Sequence, residues 1–302
     1  MKRYIVLIFG ITTLIACENK ENKKTSTIEK PVTVENMLAR YNQMIIKAGK
    51  TNSFEIIQDL YDSESLLMTD YNPLIVSDTS IKIYYDTIFD RRNIKEYNRK
   101  TLDVLEFSNR IIEIGLFTKV FEDAEKVEGK YLNVWKHDGE GKLKLRAEAF
   151  GYLKRMDDPD KFLVPEAITT SLDPIKIPRE LAAYSALGKS NVRARIPERT
   201  ADSYTDDAMY LPFSDTIKSG KSVLLEHYKG YYKYPATIDS LEVMTYAYDI
   251  VEDGYIKYGG FYVDWSVPGY SGNSTGTGIS YWRREKDHSL RIHRQIGLHI
   301  HK

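Results

Sequence analysis

Tyr61-Asp62-Ser63-Glu64-Ser65-Leu66-Leu67-Met68 and, 143 positions later, Tyr204-Thr205-Asp206-Asp207-Ala208-Met209-Tyr210-Leu211 are two versions of one block: an aromatic residue, an acidic turn and an apolar run. The same offset sets Ser77 on Gly220, Ile81 on Leu224 and Tyr85 on Tyr228. At an offset of 145, Gly115-Leu116-Phe117 lies on Gly260-Phe261-Tyr262, and at 147 Gly129, Trp135 and Leu143-Lys144-Leu145 lie on Gly276, Trp282 and Leu290-Arg291-Ile292. An offset that grows by two between blocks, always across turn residues, marks a duplicated unit with divergent loops. The chain is therefore read as domains over 33–160 and 176–302, separated by a linker over 161–175 among Pro159, Pro165, Pro174 and Pro178.

Periodicity gives the plan of each unit. Val34, Met37, Leu38, Tyr41, Met44, Ile45 and Ala48 recur at helical spacing, Ser53 opens a short helix through Tyr61, and Ser77 caps a third with Ile81, Tyr84, Tyr85 and Ile88. Strand patterns follow at Thr101–Phe107, Arg110–Phe121, Tyr131–Lys136 and Leu143–Leu153, broken by Ser108-Asn109 and Asp138-Gly139. Helices first and antiparallel strands after them predict an α+β class, with helices on one face of a curved sheet. The polar Ser266–Gly278 stretch reads as a long loop.

Composition narrows the rest. The chain has 302 residues, 28% of them charged, with 43 Lys plus Arg against 43 Asp plus Glu. That balance leaves no electrostatic surplus for nucleic acid. At the N-terminus Lys2 and Arg3 precede an apolar run from Ile5 to Ile15, too short to span a bilayer, and then Leu14-Ile15-Ala16-Cys17. Cys17 is the sole cysteine, so no disulfide forms within the chain. Residues 1–17 resemble a lipoprotein signal peptide ending at a lipobox, and residues 18–32 read as a flexible tether. This predicts lipidation of Cys17 and a lipid-anchored location at the bacterial cell envelope.

The repeated blocks resemble the nuclear-transport-factor-2-like superfamily, in its SnoaL-like branch. They include Lys130-Tyr131-Leu132-Asn133-Val134-Trp135-Lys136 in the first unit and Ile279-Ser280-Tyr281-Trp282-Arg283 in the second. The resemblance implies two tandem cones, each of three helices on a strongly curved antiparallel sheet around a pocket. Members include ketosteroid isomerase, polyketide cyclases, limonene epoxide hydrolase and copies that only bind or scaffold, so the fold alone does not name an activity. The isomerase's Asp base would stand eight residues after the opening aromatic, where this chain has Thr69 and Pro212. Asp70 stands one position further, and Asp62, Glu64, Asp206 and Asp207 read as turn residues.

Two readings follow. The first is a non-catalytic lipoprotein that binds a small apolar or amphipathic molecule, or a protein partner. The second is a SnoaL-like cyclase, isomerase or hydrolase acting in the pocket of the second domain. On the last strand Leu143, Leu145, Ala147 and Ala149 share one face, and Leu290, Ile292, Arg294, Ile296 and Leu298 are their counterparts. Arg294 breaks the apolar pattern and predicts a ligand in the second domain, together with Asp264, Tyr258, Tyr262 and Trp282. The opposite face, with Phe150 and Tyr152, is the expected contact of an intramolecular domain pair in a monomer. His299 and His301 share a strand face beside His288 and His293, but no third ligand is placed, so neither a metal nor another cofactor is expected.

Overall fold

The computed structural model describes residues 33–139 and 141–300. The first repeat opens with helix α1 (Val34–Thr51), followed by 3-10 turns at Phe54–Ile56 and Gln58–Leu60, where the sequence predicts a short helix. Strands β1 (Leu66–Thr69) and β2 (Ile75–Val76) lead to α2 (Asp78–Arg91). Four strands then complete the sheet: β3 (Ile94–Glu106), β4 (Ile111–Phe121), β5 (Lys126–His137) and β6 (Leu143–Tyr152). The second repeat has α3 (Arg179–Ala194), α4 (Pro197–Asp202), β7 (Tyr204–Leu211), β8 (Lys218–Ser219), α5 (Lys221–Tyr231), β9 (Thr237–Val251), β10 (Gly254–Val267), β11 (Tyr270–Arg284) and β12 (Leu290–His299). The strand orders β2-β1-β6-β5-β4-β3 and β8-β7-β12-β11-β10-β9 are the same. The α+β class and the tandem plan are those the sequence predicts, with one difference. The short strand after the first helices returns to pair parallel with the last one, Leu66 opposite Ala147 and Met209 opposite Arg294, so each sheet is mixed.

Local chemistry repeats with the topology. Ser77 caps α2, its Oγ accepting from the Ser80 amide at 3.3 Å, while its own φ is +83°. The equivalent Gly220 opens α5 at φ +85°, a conformation that costs glycine little and serine more. The stretch expected as a loop over 266–278 is instead the end of a long hairpin, with β10 and β11 in register from Gly254 opposite Arg283 to Val267 opposite Tyr270. Gly272, Gly276 and Gly278 sit where a side chain has no room: a Cβ on Gly276 would lie 2.4 Å from the Phe261 ring.

Each repeat carries a bulge beside its tryptophan. The register of β5 and β6 slips between Val134 and Trp135, so that Val134 faces Ala147 and Trp135 faces Leu145. In the second repeat Tyr281 faces Arg294 and Trp282 faces Ile292. Arg146 and His293 are the extra residues, and the side-chain alternation reverses at each. Leu143 and Leu145 therefore pack under the helices, whereas Ala147 and Ala149 point to the other face of the sheet. Phe150 and Tyr152 lie inside the first cone, against Phe117, and are not the contact between repeats.

That contact is made by the outer sheet faces. Met68, Ile112, Ile114, Leu132, Val134, Ala147 and Ala149 form one core with Ile256, Tyr258, Ile279, Tyr281, Ile296 and Leu298. Val34 to the C-terminus accordingly forms a single compact unit. Ion pairs close its borders: Arg110 binds Asp249 with Nη2 to Oδ1 at 2.6 Å and Nε to Oδ2 at 2.9 Å, and Arg294 Nε meets Asp103 Oδ2 at 2.7 Å. Fully buried Lys130 donates across the seam to the Asp215 carbonyl at 3.0 Å, near Asp70, which accepts from the Tyr152 amide at 2.7 Å. The linker also packs on the first repeat, through Phe162, Ile168 and a Thr170 amide bond to the Leu74 carbonyl.

Two outcomes follow for stability. Arg294→Ala strands the Asp103 carboxylate against the seam and is expected to cost about 2–3 kcal/mol in urea unfolding, and a loss under about 0.5 kcal/mol overturns the assignment. Burial against Phe213 and Phe261 holds the His299 imidazole down to about 4. A lowered histidine pKa contributes stability that is present above its ordinary value of about 6.5 and lost as pH falls toward 4, because only the unfolded chain takes the proton there. His299→Phe is therefore expected to flatten the fall of melting temperature between pH 6.5 and 4, and an unchanged slope contradicts it.

Candidate functional site

The concave face of each sheet holds a row of three side chains at matched positions on adjacent strands. In the first repeat Glu113 on β4 faces Asn133 on β5, which faces Glu148 on β6. In the second, Lys257 on β10 faces Ser280 on β11, which faces Gln295 on β12. The tryptophans align the rows, since Trp135 pairs with Ile111 as Trp282 pairs with Tyr255.

The first row is buried, with Glu113 and Asn133 at 0% exposure and Glu148 at 1%. Isolated carboxylates would not survive there, and each is supplied with donors. Glu113 accepts from Asn42 Nδ2 at 2.7 Å, Thr101 Oγ1 at 2.7 Å, the Tyr131 hydroxyl at 3.0 Å and Trp135 Nε1 at 3.1 Å. Glu148 Oε2 accepts from the Tyr61 and Tyr85 hydroxyls at 2.7 and 2.6 Å. Burial and the Glu148 charge push both tyrosine hydroxyls far above their ordinary range, so they remain donors. Arg99 donates through Nε to Asn42 at 2.7 Å and through Nη1 to Tyr97 at 3.1 Å, its guanidinium lying over the Tyr131 ring. Its Nη2, and both polar atoms of the Asn133 side chain, are buried with no hydrogen-bond partner. A cavity of about 20 Å³ adjoins Arg99, Glu148, Tyr97 and Lys119 and is otherwise lined by apolar groups including Phe117 and Phe150. It is the size of one water molecule.

The second cone repeats the tyrosine pair and not the acids. Tyr204 and Tyr228 hydroxyls lie 2.8 Å apart, and Tyr204 donates to Gln295 Oε1 at 2.6 Å. These are the counterparts of Tyr61, Tyr85 and Glu148.

The five ligand residues expected in the second domain do not converge. Arg294 lies on the outer sheet face, bound to Asp103 and to the Asp207 carbonyl at 3.0 Å. The bulge at His293 turned it away from the cone. Tyr258 lies in the seam between repeats, donating to Asp249 at 2.6 Å. Asp264 and Tyr262 bond to each other at 2.7 Å on the half-buried part of β10, and Ser240 donates to the same carboxylate. Trp282 alone faces the second cone, donating to Ser280 at 2.9 Å. Thr69 and Asp70 are buried beyond the row, Thr69 accepting from Asn72 at 3.0 Å. Cys17 and His301 lie outside the described residues. Among the described residues no group of three or more His, Cys, Asp or Glu could hold a metal ion, and no helix is long and apolar enough to cross a membrane.

Glu113 and Lys257 escape a search for motifs, yet each leaves a trace in sequence. Ile111-Ile112-Glu113-Ile114 and Ile256-Lys257-Tyr258 place one charge inside a strand with apolar or aromatic neighbours on both sides. A charge in a central strand needs a buried partner or a ligand.

No protein-family model matches the chain, and no curated protein matches it. Solved structures similar to it include a ketosteroid isomerase-like protein from Erwinia carotovora atroseptica, at 15% identity, covering 42% of this chain and 100% of that one with a TM-score of 0.37. A nuclear transport factor 2-like superfamily protein from Salmonella enterica serovar Typhimurium is similar at 11% identity, covering 41% of this chain and 91% of that one with a TM-score of 0.35.

Proposed function

We propose that the protein is a lipid-anchored envelope protein whose first repeat binds a small amphipathic molecule without transforming it. The observation that carries this reading is the unmade hydrogen bond of Arg99 Nη2 beside an apolar cleft. Native proteins rarely leave buried donors unpaired, and a guanidinium at the base of an apolar site suits a carbonyl or carboxylate oxygen. The water-sized cavity takes only one carbonyl or carboxylate oxygen of such a ligand, so its apolar body would enter by displacing the Phe117 and Phe150 rings. Lys119, whose ammonium lies within 5.3 Å of the Phe117 ring, adds a second positive charge at the mouth.

The buried acids are poorly placed for catalysis. A general base must reach a substrate proton, but Glu113 accepts four protein donors and Glu148 two. The positions of the isomerase base carry Thr69 and Pro212. The lipid anchor rests on Lys2, Arg3, the apolar run and Cys17. A monomer is favoured because each repeat covers the other's outer sheet face.

Octanoate is a suitable probe of the cleft, with octylamine as the charge-reversed control. Saturable octanoate binding is expected by calorimetry, weakened about tenfold or more in Arg99→Met, as the loss of a charged hydrogen bond implies. No saturation, or equal affinity in the variant, overturns the site. For the anchor, Cys17→Ala is expected to move the chain from the membrane to the soluble fraction, and continued membrane retention contradicts lipidation. The released protein should scatter light as a monomer.

A further inference from the structure

Lys257 is buried at 6% exposure on the concave face of the second repeat, where its counterpart Glu113 has four donors. Its ammonium has much less: Nζ reaches Ser185 Oγ at 3.2 Å, with no ion pair to Lys257 among the described residues. The residues around it are also less deeply buried than their counterparts in the first cone. There Tyr131 faces Phe150 across β5 and β6, and both are buried as a plug over the row. At the same register the second repeat has Gly278 facing Gly297. A Cβ on Gly278 would meet the Ile296 carbonyl oxygen at 2.3 Å and one on Gly297 would lie 3.5 Å from the Tyr210 hydroxyl, so the two rings of the plug are replaced by glycines, one of them beside Tyr210. Ser280, Gln295, Gly278 and Gly297 are half-buried, unlike Asn133, Glu148, Tyr131 and Phe150.

From this geometry we infer that Lys257 is a nucleophilic amine that captures small aldehydes in the second cone as imines. An amine in an apolar wall without a carboxylate partner favours its neutral form, the form whose lone pair attacks carbonyl carbon. Burial accordingly brings Lys257 down to about 8. The nitrogen lone pair forms the new C–N bond, and the carbonyl oxygen leaves as water with the two amine protons. The product is R–CH=N–Lys257, with no change of oxidation state, and hydrolysis reverses it. Ser280, beside Lys257, and Gln295, one strand further along the row, supply polar contacts for a substituent such as a carboxylate.

Glyoxylate is the probe. The full chain is incubated with it at pH 7.5, imines are reduced with borohydride, and modified lysines are located by peptide mass spectrometry. Lys257 is expected to be labelled at least about tenfold faster than the exposed Lys95 and Lys100. Lys257→Met should lose that label and melt no lower than the parent, since it removes a buried charge. Labelling confined to surface lysines in the folded parent overturns the inference, as does equal labelling rates at all sites. The octanoate experiment concerns the other repeat, so either result can fail alone.

Discussion

A one-residue bulge next to each tryptophan is the constraint on which the rest of the molecule depends. A strand of strict alternation offers one face to one core. The last strand of each repeat must instead serve two apolar layers, the helices on one side and the sibling sheet on the other. Inserting Arg146 or His293 reverses the alternation partway along, so Leu145 and Ile292 look inward while Ala147 and Arg294 look outward. The seam, the buried Arg294–Asp103 pair and the polar rows inside the cones are all set by where that reversal falls.

Duplication then allowed the two interiors to diverge on one backbone. The tyrosine pair is kept in both, Tyr61 with Tyr85 and Tyr204 with Tyr228. The row beneath changes from two carboxylates and an amide to an ammonium, a hydroxyl and an amide. The first cone answers its charges with internal donors and closes over them with aromatic rings. The second leaves its charge nearly unanswered and replaces two of those rings with glycine. Charge inversion and the exchange of two aromatic rings for glycine at matched positions distinguish the two interiors without any change of strand order.

Much of the fold was legible because period and turn chemistry are local. Helix α1 and strand β4 announce themselves by spacing alone. The direction in which Arg294, Phe150 and Tyr152 point did not, because a bulge is invisible to a pattern that counts in twos. The glycine-rich stretch from Ser266 to Gly278 reads as a loop rather than a hairpin for a related reason. Gly, Ser and Thr in series usually mean a loop, but here the glycines allow close approach by Phe261 and Trp265 rings from a neighbouring strand. Glu113 is visible as a charge inside an apolar strand, whereas its donors come from α1, β3 and β5 and exist only once the cone is closed. Arg99 gives no sequence signal that would distinguish it from any exposed strand arginine.

The parallel ladder between the first short strand and the last has a consequence for biosynthesis. Leu66 waits for Ala147, and Met209 waits for Arg294, so neither sheet can finish until its final strand has left the ribosome. When the first repeat does close, its outer face of Met68, Ile112, Ile114, Leu132 and Ala149 has no cover until about 140 further residues have been made. At roughly 5–20 residues per second that interval lasts on the order of ten seconds. The nascent chain therefore presents a sticky apolar sheet for longer than most small domains need to fold, a window in which capture by a holdase or association with another chain decides the yield of finished protein.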